Sequence, residues 1–292
     1  MSHLHRRLVK VLDSYISYID TRVGEFTVVL LHGNIASKYI WHDVIPHIHG
    51  FGRCLAPDLL GMGNSGMNPS NEYGYDAQFQ YLQAWINLVL QDKQKVVMIG
   101  YEWGAALAMR WAYVNPSRAQ GLILIEGIFS PIRVPEDINS KLVQNIHMIV
   151  QKHLSLQHYN RKSAQRDDVM IEEYRNAIGA LVATWGPDDG VTSPRCLHAI
   201  IDLFRDLPIV CQAPYNVITQ IREINRVIGQ SDVRKLMIEA EQGVYSAIGA
   251  EAAKQWKNTE TASVGFRAVP THMQPQTIGR LVVKFLKSLR QN

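Results

Sequence analysis

Short, almost unbroken apolar runs recur at residues 15–19, 26–31, 53–56, 96–99, 121–125, 235–238 and 263–269. Each has the length of a strand, and amphipathic helical patterns separate many of them. Residues 75–90 place Tyr75, Phe79, Leu82, Ile86 and Val89 on one stripe, and residues 105–113 read as a helix directly after the run at 96–99. The last helix is predicted to begin at Pro275, a residue suited to a first helical position. Its core face would carry Ile278, Leu281, Val282, Phe285 and Leu286. Apolar strands alternating with such helices predict an α/β fold, with a mostly parallel twisted sheet flanked by helices. Between about residues 130 and 214 the strand signal vanishes and the sequence turns helical and polar, as at 163–180. The pattern therefore predicts a core of residues 1–129 and 215–292, interrupted by an inserted helical cap at 130–214.

Composition narrows the class. With 292 residues, 47% of them hydrophobic, the chain can bury a large core, and no stretch is long and apolar enough to span a membrane. The first residues lead into amphipathic sequence with Asp13 and Asp20, so no export signal is read. Cys54, Cys196 and Cys211 are widely spaced and odd in number, which favours reduced thiols and a cytoplasmic protein. The formal charge of +4 is spread without a basic block, so nucleic acid is not an expected partner.

The chemistry centres on Val96-Val97-Met98-Ile99-Gly100-Tyr101-Glu102-Trp103-Gly104-Ala105. An apolar strand, a Gly-x-Nuc-x-Gly turn and a helix make a nucleophile elbow, with Glu102 at its apex. Four further residues fall at the ends of strands, where loops face a ligand crevice. Asn34 follows the run 26–31, and Trp103 follows Glu102 with an indole N–H that can only donate. Glu126 ends the run 121–125, where an unpaired carboxylate is costly. His272 follows the last strand. The chain order is nucleophile, acid, base.

These residues, with Leu31-His32-Gly33-Asn34, Ala56-Pro57-Asp58-Leu59-Leu60-Gly61-Met62-Gly63 and Leu203-Phe204-Arg205-Asp206-Leu207-Pro208-Ile209, give the chain a specific likeness. Over nearly its full length it resembles the haloalkane dehalogenases of the α/β-hydrolase fold, and the similar coelenterazine luciferases. The resemblance implies halide-stabilising donors at Asn34 and Trp103, an acid at Glu126 and a base at His272. Epoxide hydrolases are the nearest sister group, and Asn34 tilts the likeness toward the dehalogenases. Two departures stand out. The family nucleophile is aspartate, and the extra methylene of Glu102 moves the carboxylate by roughly 1.5 Å. A misplacement of about 1 Å can cost on the order of a hundredfold in rate. Where some relatives carry their acid, Gln242 stands here, which leaves Glu126 as the better acid and Glu241 a weak second.

Three readings suit this set of residues. In the first, Glu102 displaces a leaving group from carbon, and His272, assisted by Glu126, activates water to cleave the ester. In the second, the longer Glu102 acts as acid or base in a cyclisation, isomerisation or elimination of specialised metabolism. The third is a catalytically degenerate ligand-binding protein. Each expects a small or medium hydrophobic molecule and no cofactor. Tyr159, Tyr174, Trp185 and Phe204 of the cap are candidates to roof the pocket, and Tyr159 or Tyr174 to donate a proton to an epoxide. Two further patterns carry little. Gly61-Met62-Gly63-Asn64-Ser65-Gly66 matches a dinucleotide fingerprint but leads into a loop, not a helix. His42, His47 and His49 lie along one predicted helix and its exit without a carboxylate or cysteine at ligand spacing, so no metal is expected.

Overall fold

The computed structural model describes residues 6–155, 172, 174–179, 194–210, 212–241, 243–265 and 274–291. Eight strands form one sheet: β1 (Arg6–Val11), β2 (Ser14–Asp20), β3 (Phe26–Leu31), β4 (Gly52–Pro57), β5 (Val96–Tyr101), β6 (Ala119–Ile125), β7 (Arg234–Ala240) and β8 (Thr259–Val264). Their order is β1-β2-β4-β3-β5-β6-β7-β8. The pairs β1–β2 and β2–β4 are antiparallel, and every pairing from β4 through β8 is parallel. The sheet is thus the mostly parallel one the apolar runs predict. Sequence alone passed over β1, whose alternating exposure reflects an edge strand with one face toward solvent. The last strand begins four residues before the predicted run at 263, because its largely exposed Thr-Glu-Thr start carries no apolar signal yet pairs with β7, where Glu260 also meets Arg234 at 2.7 Å.

The parallel strands are buried on both faces, and alternation along each sends side chains to two cores. Val96 and Met98 of β5 pack with Leu31, Leu122, Leu124 and Trp111. Val97 and Ile99 pack with Val28, Leu30, Ile123 and Ile238 on the other side. Helices α1 (Ile45–Ile48) and α8 (Pro275–Ser288) cover the second face; α2 (Tyr75–Val89), α3 (Trp103–Val114), α6 (Tyr215–Gln230) and α7 (Ser246–Ala253) contribute to the first. In α8 the predicted face is buried at Ile278, Val282, Phe285 and Leu286, while Leu281 is partly exposed. The single helix expected around His42 to His49 is instead a 3-10 turn, Lys38–Trp41, and the one-turn α1. Pro46 lacks the N–H an interior helical position would need.

Between β6 and α6 lie α4 (Lys141–Ser155), helical residues 174–179 and α5 (Pro194–Arg205). A parallel bridge between Ile132 and Ile209 brings the ends of this excursion together. Its return is clamped to the loop before α2. Asp202 accepts from the Tyr73 N–H at 2.9 Å and Asp206 from the Tyr75 N–H at 2.8 Å. Arg205 lies between the two carboxylates at 2.8 and 3.0 Å. Breaking one partner of such a buried, hydrogen-bonded set typically costs about 3–5 kcal/mol. Among the described residues no helix is long and apolar enough to cross a membrane.

Candidate active site

The site begins with backbone strain. Glu102 joins β5 to α3 at φ 54° and ψ −116°, a conformation non-glycine residues adopt only when their surroundings enforce it. The enforcement is visible: the Glu102 N–H donates to the Ile125 carbonyl at 3.0 Å, and the Glu102 carbonyl accepts from Ala105 at 3.0 Å. Two more non-glycine residues with positive φ stand beside it, Ile35 at 51° and Glu126 at 50°. The branched Ile35 is held there by its N–H donating to the Asn34 Oδ1 at 3.0 Å. Strain therefore concentrates at the carboxyl ends of β3, β5 and β6, where the sequence placed its candidates.

The Glu102 carboxylate turns back toward the end of β3. Its Oε2 accepts a hydrogen bond from the Asn34 backbone N–H. Gly33 makes room for this, since a Cβ there would come within 2.2 Å of the same oxygen. Burial lifts the Glu102 carboxyl from 4.5 to about 8, against the N–H groups of Asn34 and Trp103, which favour its charged form. The side chain lines a small cavity of about 20 Å³ with Asn34, Ile35, Tyr101, Phe204 and Tyr245. That is room for about one water, so a larger molecule must displace part of the lining. A far larger groove of about 880 Å³, lined by Arg133, Arg222, Glu251 and Trp256 among others, does not include Glu102.

Asn34 and Trp103 both adjoin Glu102, and each side chain also has a neighbour beyond it. The Asn34 Nδ2 donates to the Ile200 carbonyl of α5 at 3.1 Å. The Trp103 ring lies 5.4 Å from that of Tyr75, and Trp103 is not among the described residues lining the cavity. Of the four proposed roof residues, Phe204 reaches the cavity. Tyr174 is buried but does not line it, and Tyr159 and Trp185 lie outside the described residues. His272 also lies outside them, as does Gln242. Glu241 is exposed, and its N–H bonds back to Val264.

Glu126 is buried under the loop after β7. Its Oε1 accepts from the Ala240 N–H at 3.0 Å and from the Ser246 hydroxyl, and its Oε2 from the Tyr245 N–H at 3.0 Å. Gly243 permits this approach, because a Cβ there would come within 2.0 Å of Oε1. Burial raises the Glu126 carboxyl to about 7 despite these donors, with Glu239 adding a little. The pairing that burial demanded of this carboxylate is thus met by a loop.

Tyr101 and Tyr245 were missed by the sequence reading. Tyr101 sits inside the elbow itself. Tyr245 follows β7 in Gly243-Val244-Tyr245, and the rule that loops at the carboxyl ends of parallel strands face the ligand would have pointed to it. The set-aside glycine loop also has its explanation. Asp58 accepts from the Asn64 N–H at 2.8 Å and pairs with buried Lys38, so a carboxylate of the chain occupies the place of an anion. His32 is a structural residue: its Nε2 accepts from the Leu59 N–H at 2.9 Å, and burial drives its pKa down to about 4, keeping it neutral. Among the described residues no group of His, Cys, Asp and Glu is arranged to hold a metal.

Comparison with known proteins adds a family to this geometry. A model of the alpha/beta hydrolase fold matches residues 27–158. The chain is 31% identical to a haloalkane dehalogenase of Mesorhizobium japonicum over 258 residues, 86% of this chain and 79% of that protein. It is 27% identical to coelenterazine h 2-monooxygenase of Renilla reniformis, covering 97% of this chain and 91% of that one. Among solved structures, a putative ancestral haloalkane dehalogenase superposes with a TM-score of 0.83 at 24% identity, over 98% of this chain and all of that one.

Proposed function

Because this chain belongs to the α/β-hydrolase-fold family and is a haloalkane dehalogenase-like enzyme of the hydrolase class, we propose that it hydrolyses a small or medium hydrophobic molecule through a covalent ester on Glu102. The observation that carries this reading is the strained elbow, which presents a buried carboxylate to a small cavity with one oxygen, Oε2, already held by the Asn34 N–H. In the proposed reaction Oε1 attacks an sp³ carbon, the bond from that carbon to its leaving group breaks, and the leaving group departs with the electron pair. The Asn34 and Trp103 N–H groups then stabilise the oxyanion as His272-activated water attacks the ester carbonyl. Donors of that kind typically contribute on the order of a hundredfold or more each. Glu126 acts with His272 in this scheme. The same reading takes residues 130–214 as the cap, with Val143 and Phe204 of α4 and α5 as the lining that yields to substrate, and a cytoplasmic setting in keeping with the buried thiol of Cys54.

A second reading rests on a specific observation. With a pKa near 8, Glu102 is largely protonated at neutral pH, a state suited to proton transfer without an ester. The experiment that separates the two uses a His272→Phe variant, which should stall ester hydrolysis. After incubation with halogenated and epoxide compounds, intact-mass analysis should find an adduct on the peptide containing Glu102. Wild-type turnover with neither adduct nor incorporated solvent oxygen would overturn the covalent reading.

A further inference from the structure

The groove of about 880 Å³ apart from Glu102 has the volume of a ligand pocket, and its two helices line it with different chemistry. From α6 come Arg222, Asn225 and Arg226, at the i, i+3, i+4 spacing that sets three polar side chains on one helix face. From α7 come Ala247 and Ile248, with Trp256 just past the helix end. Trp256 is held firmly: its indole N–H donates to the Asn225 Oδ1 at 2.8 Å, and its ring centroid lies 5.1 Å from that of Phe129. With that N–H spent, the half-buried ring has only apolar surface to offer. Asn225, with its oxygen spent, keeps its amide nitrogen as a donor.

The charges around the groove leave one cation over. Arg226 is paired with Glu223 at 2.7 and 2.9 Å, Arg133 with Asp137 at 3.4 Å, and Lys254 with Glu251. Arg222 is exposed and, among the described residues, has neither a hydrogen bond nor an ion pair. A free guanidinium presents a fork of N–H groups that matches the oxygens of a carboxylate, sulfonate or phosphate. From this juxtaposition we propose that the groove is a second ligand site, separate from the Glu102 cavity, for a molecule with a flat apolar body and one anionic oxygen group. The body packs on Ile248 and Trp256, and the anion meets Arg222 with the Asn225 amide beside it. The carboxylates of Asp137 and Glu251 are offset by their own partners, so they do not cancel the attraction of Arg222.

The site stands whatever the chemistry of Glu102, and its test is a binding measurement with naphthalene-2-sulfonate as the probe. Calorimetry on the full chain should show one site with a Kd below about 1 mM that weakens as salt is raised. Arg222→Gln should weaken the sulfonate at least about tenfold while leaving the neutral naphthalene-2-sulfonamide unchanged, and Arg222→Lys should recover part of the loss. Ala247 is exposed, so Ala247→Glu should keep the melting temperature of the wild type, and its carboxylate in the groove should abolish binding. The indole N–H resonance of Trp256, assigned by its loss in Trp256→Phe, should shift as the probe saturates. Failure to saturate at about 10 mM sulfonate would overturn the site. So would equal weakening of sulfonate and sulfonamide by Arg222→Gln, or binding that survives Ala247→Glu. Binding should be unaffected by Glu102→Gln; its loss there would place the probe in the Glu102 cavity and overturn the second site.

Discussion

Glu102 and Glu126 stand at the ends of neighbouring strands with nearly the same backbone twist, φ 54° and 50°, and burial raises both carboxyls, to about 8 and about 7. They differ in what surrounds them. Glu102 accepts from the backbone of the β3 loop and faces a cavity. Glu126 accepts from three donors of a single loop and is packed beneath it. Residue type and local conformation therefore do not assign a chemical role. Donor count and access to space do: a carboxylate that faces a cavity can meet a substrate directly, while one held by three donors of a loop organises that loop and can act only through a further partner.

Substitutions that hit one carboxylate and spare the other probe this contrast most directly. The largest effect should come from Glu102→Gln, which keeps shape but removes the charge, and turnover should fall at least about a thousandfold. The same variant tests the electrostatics. Because burial lifts the folded-state pKa of Glu102 above its ordinary value, its contribution to stability is whole below about pH 4.5 and is lost as pH rises through about 8. The melting temperature of Glu102→Gln relative to wild type should therefore climb across that window, and a flat difference would show that Glu102 is solvated. Wild-type activity, if it needs the carboxylate, should rise on the acid side with an apparent pKa close to 8.

Gly33→Ala comes next. Its Cβ would press on the Glu102 Oε2, so it should displace the carboxylate and cost on the order of a hundredfold in kcat/KM. Glu126→Gln should reverse the balance between activity and stability. Its amide would confront an N–H donor, destabilising the fold by about 1–3 kcal/mol. Hydrogen exchange should rise at the amides of residues 240–246, with a loss of turnover smaller than for Glu102→Gln. Equal loss of turnover in the two variants would break the contrast. The smallest effect, about 1 kcal/mol in urea unfolding, is expected for Ser246→Ala, which removes one of the donors on Glu126.

Periodicity in the sequence was enough to place seven of the eight strands approximately, the elbow helix and the buried face of α8, because burial on two faces imposes near-continuous apolar runs and burial on one imposes stripes. It also marked Glu102, Asn34 and Glu126, since each closes a strand and glycine flanks the elbow. The edge strand β1 escaped because half of it faces water, and the helix drawn through His42 to His49 failed at Pro46.

What the chain could not state on its own was which of these groups face one another. Gly33 and Gly243 are ordinary loop glycines in the sequence, yet they let the two carboxylates reach donors 68 residues away for Glu102 and 114 to 120 residues away for Glu126. Two of the three partners of Glu126 are backbone amides more than a hundred residues away, and amides carry no signature in side-chain identity. The amide of Asn34 turns toward the Ile200 carbonyl, and Tyr245 lines the cavity beside Glu102, because sheet order sets β3, β5, β6 and β7 side by side. Local pattern determines elements and their buried faces, because burial acts residue by residue along a strand or helix. Only the folded sheet decides donors, space and the environment of each carboxyl, because those depend on groups that meet through space.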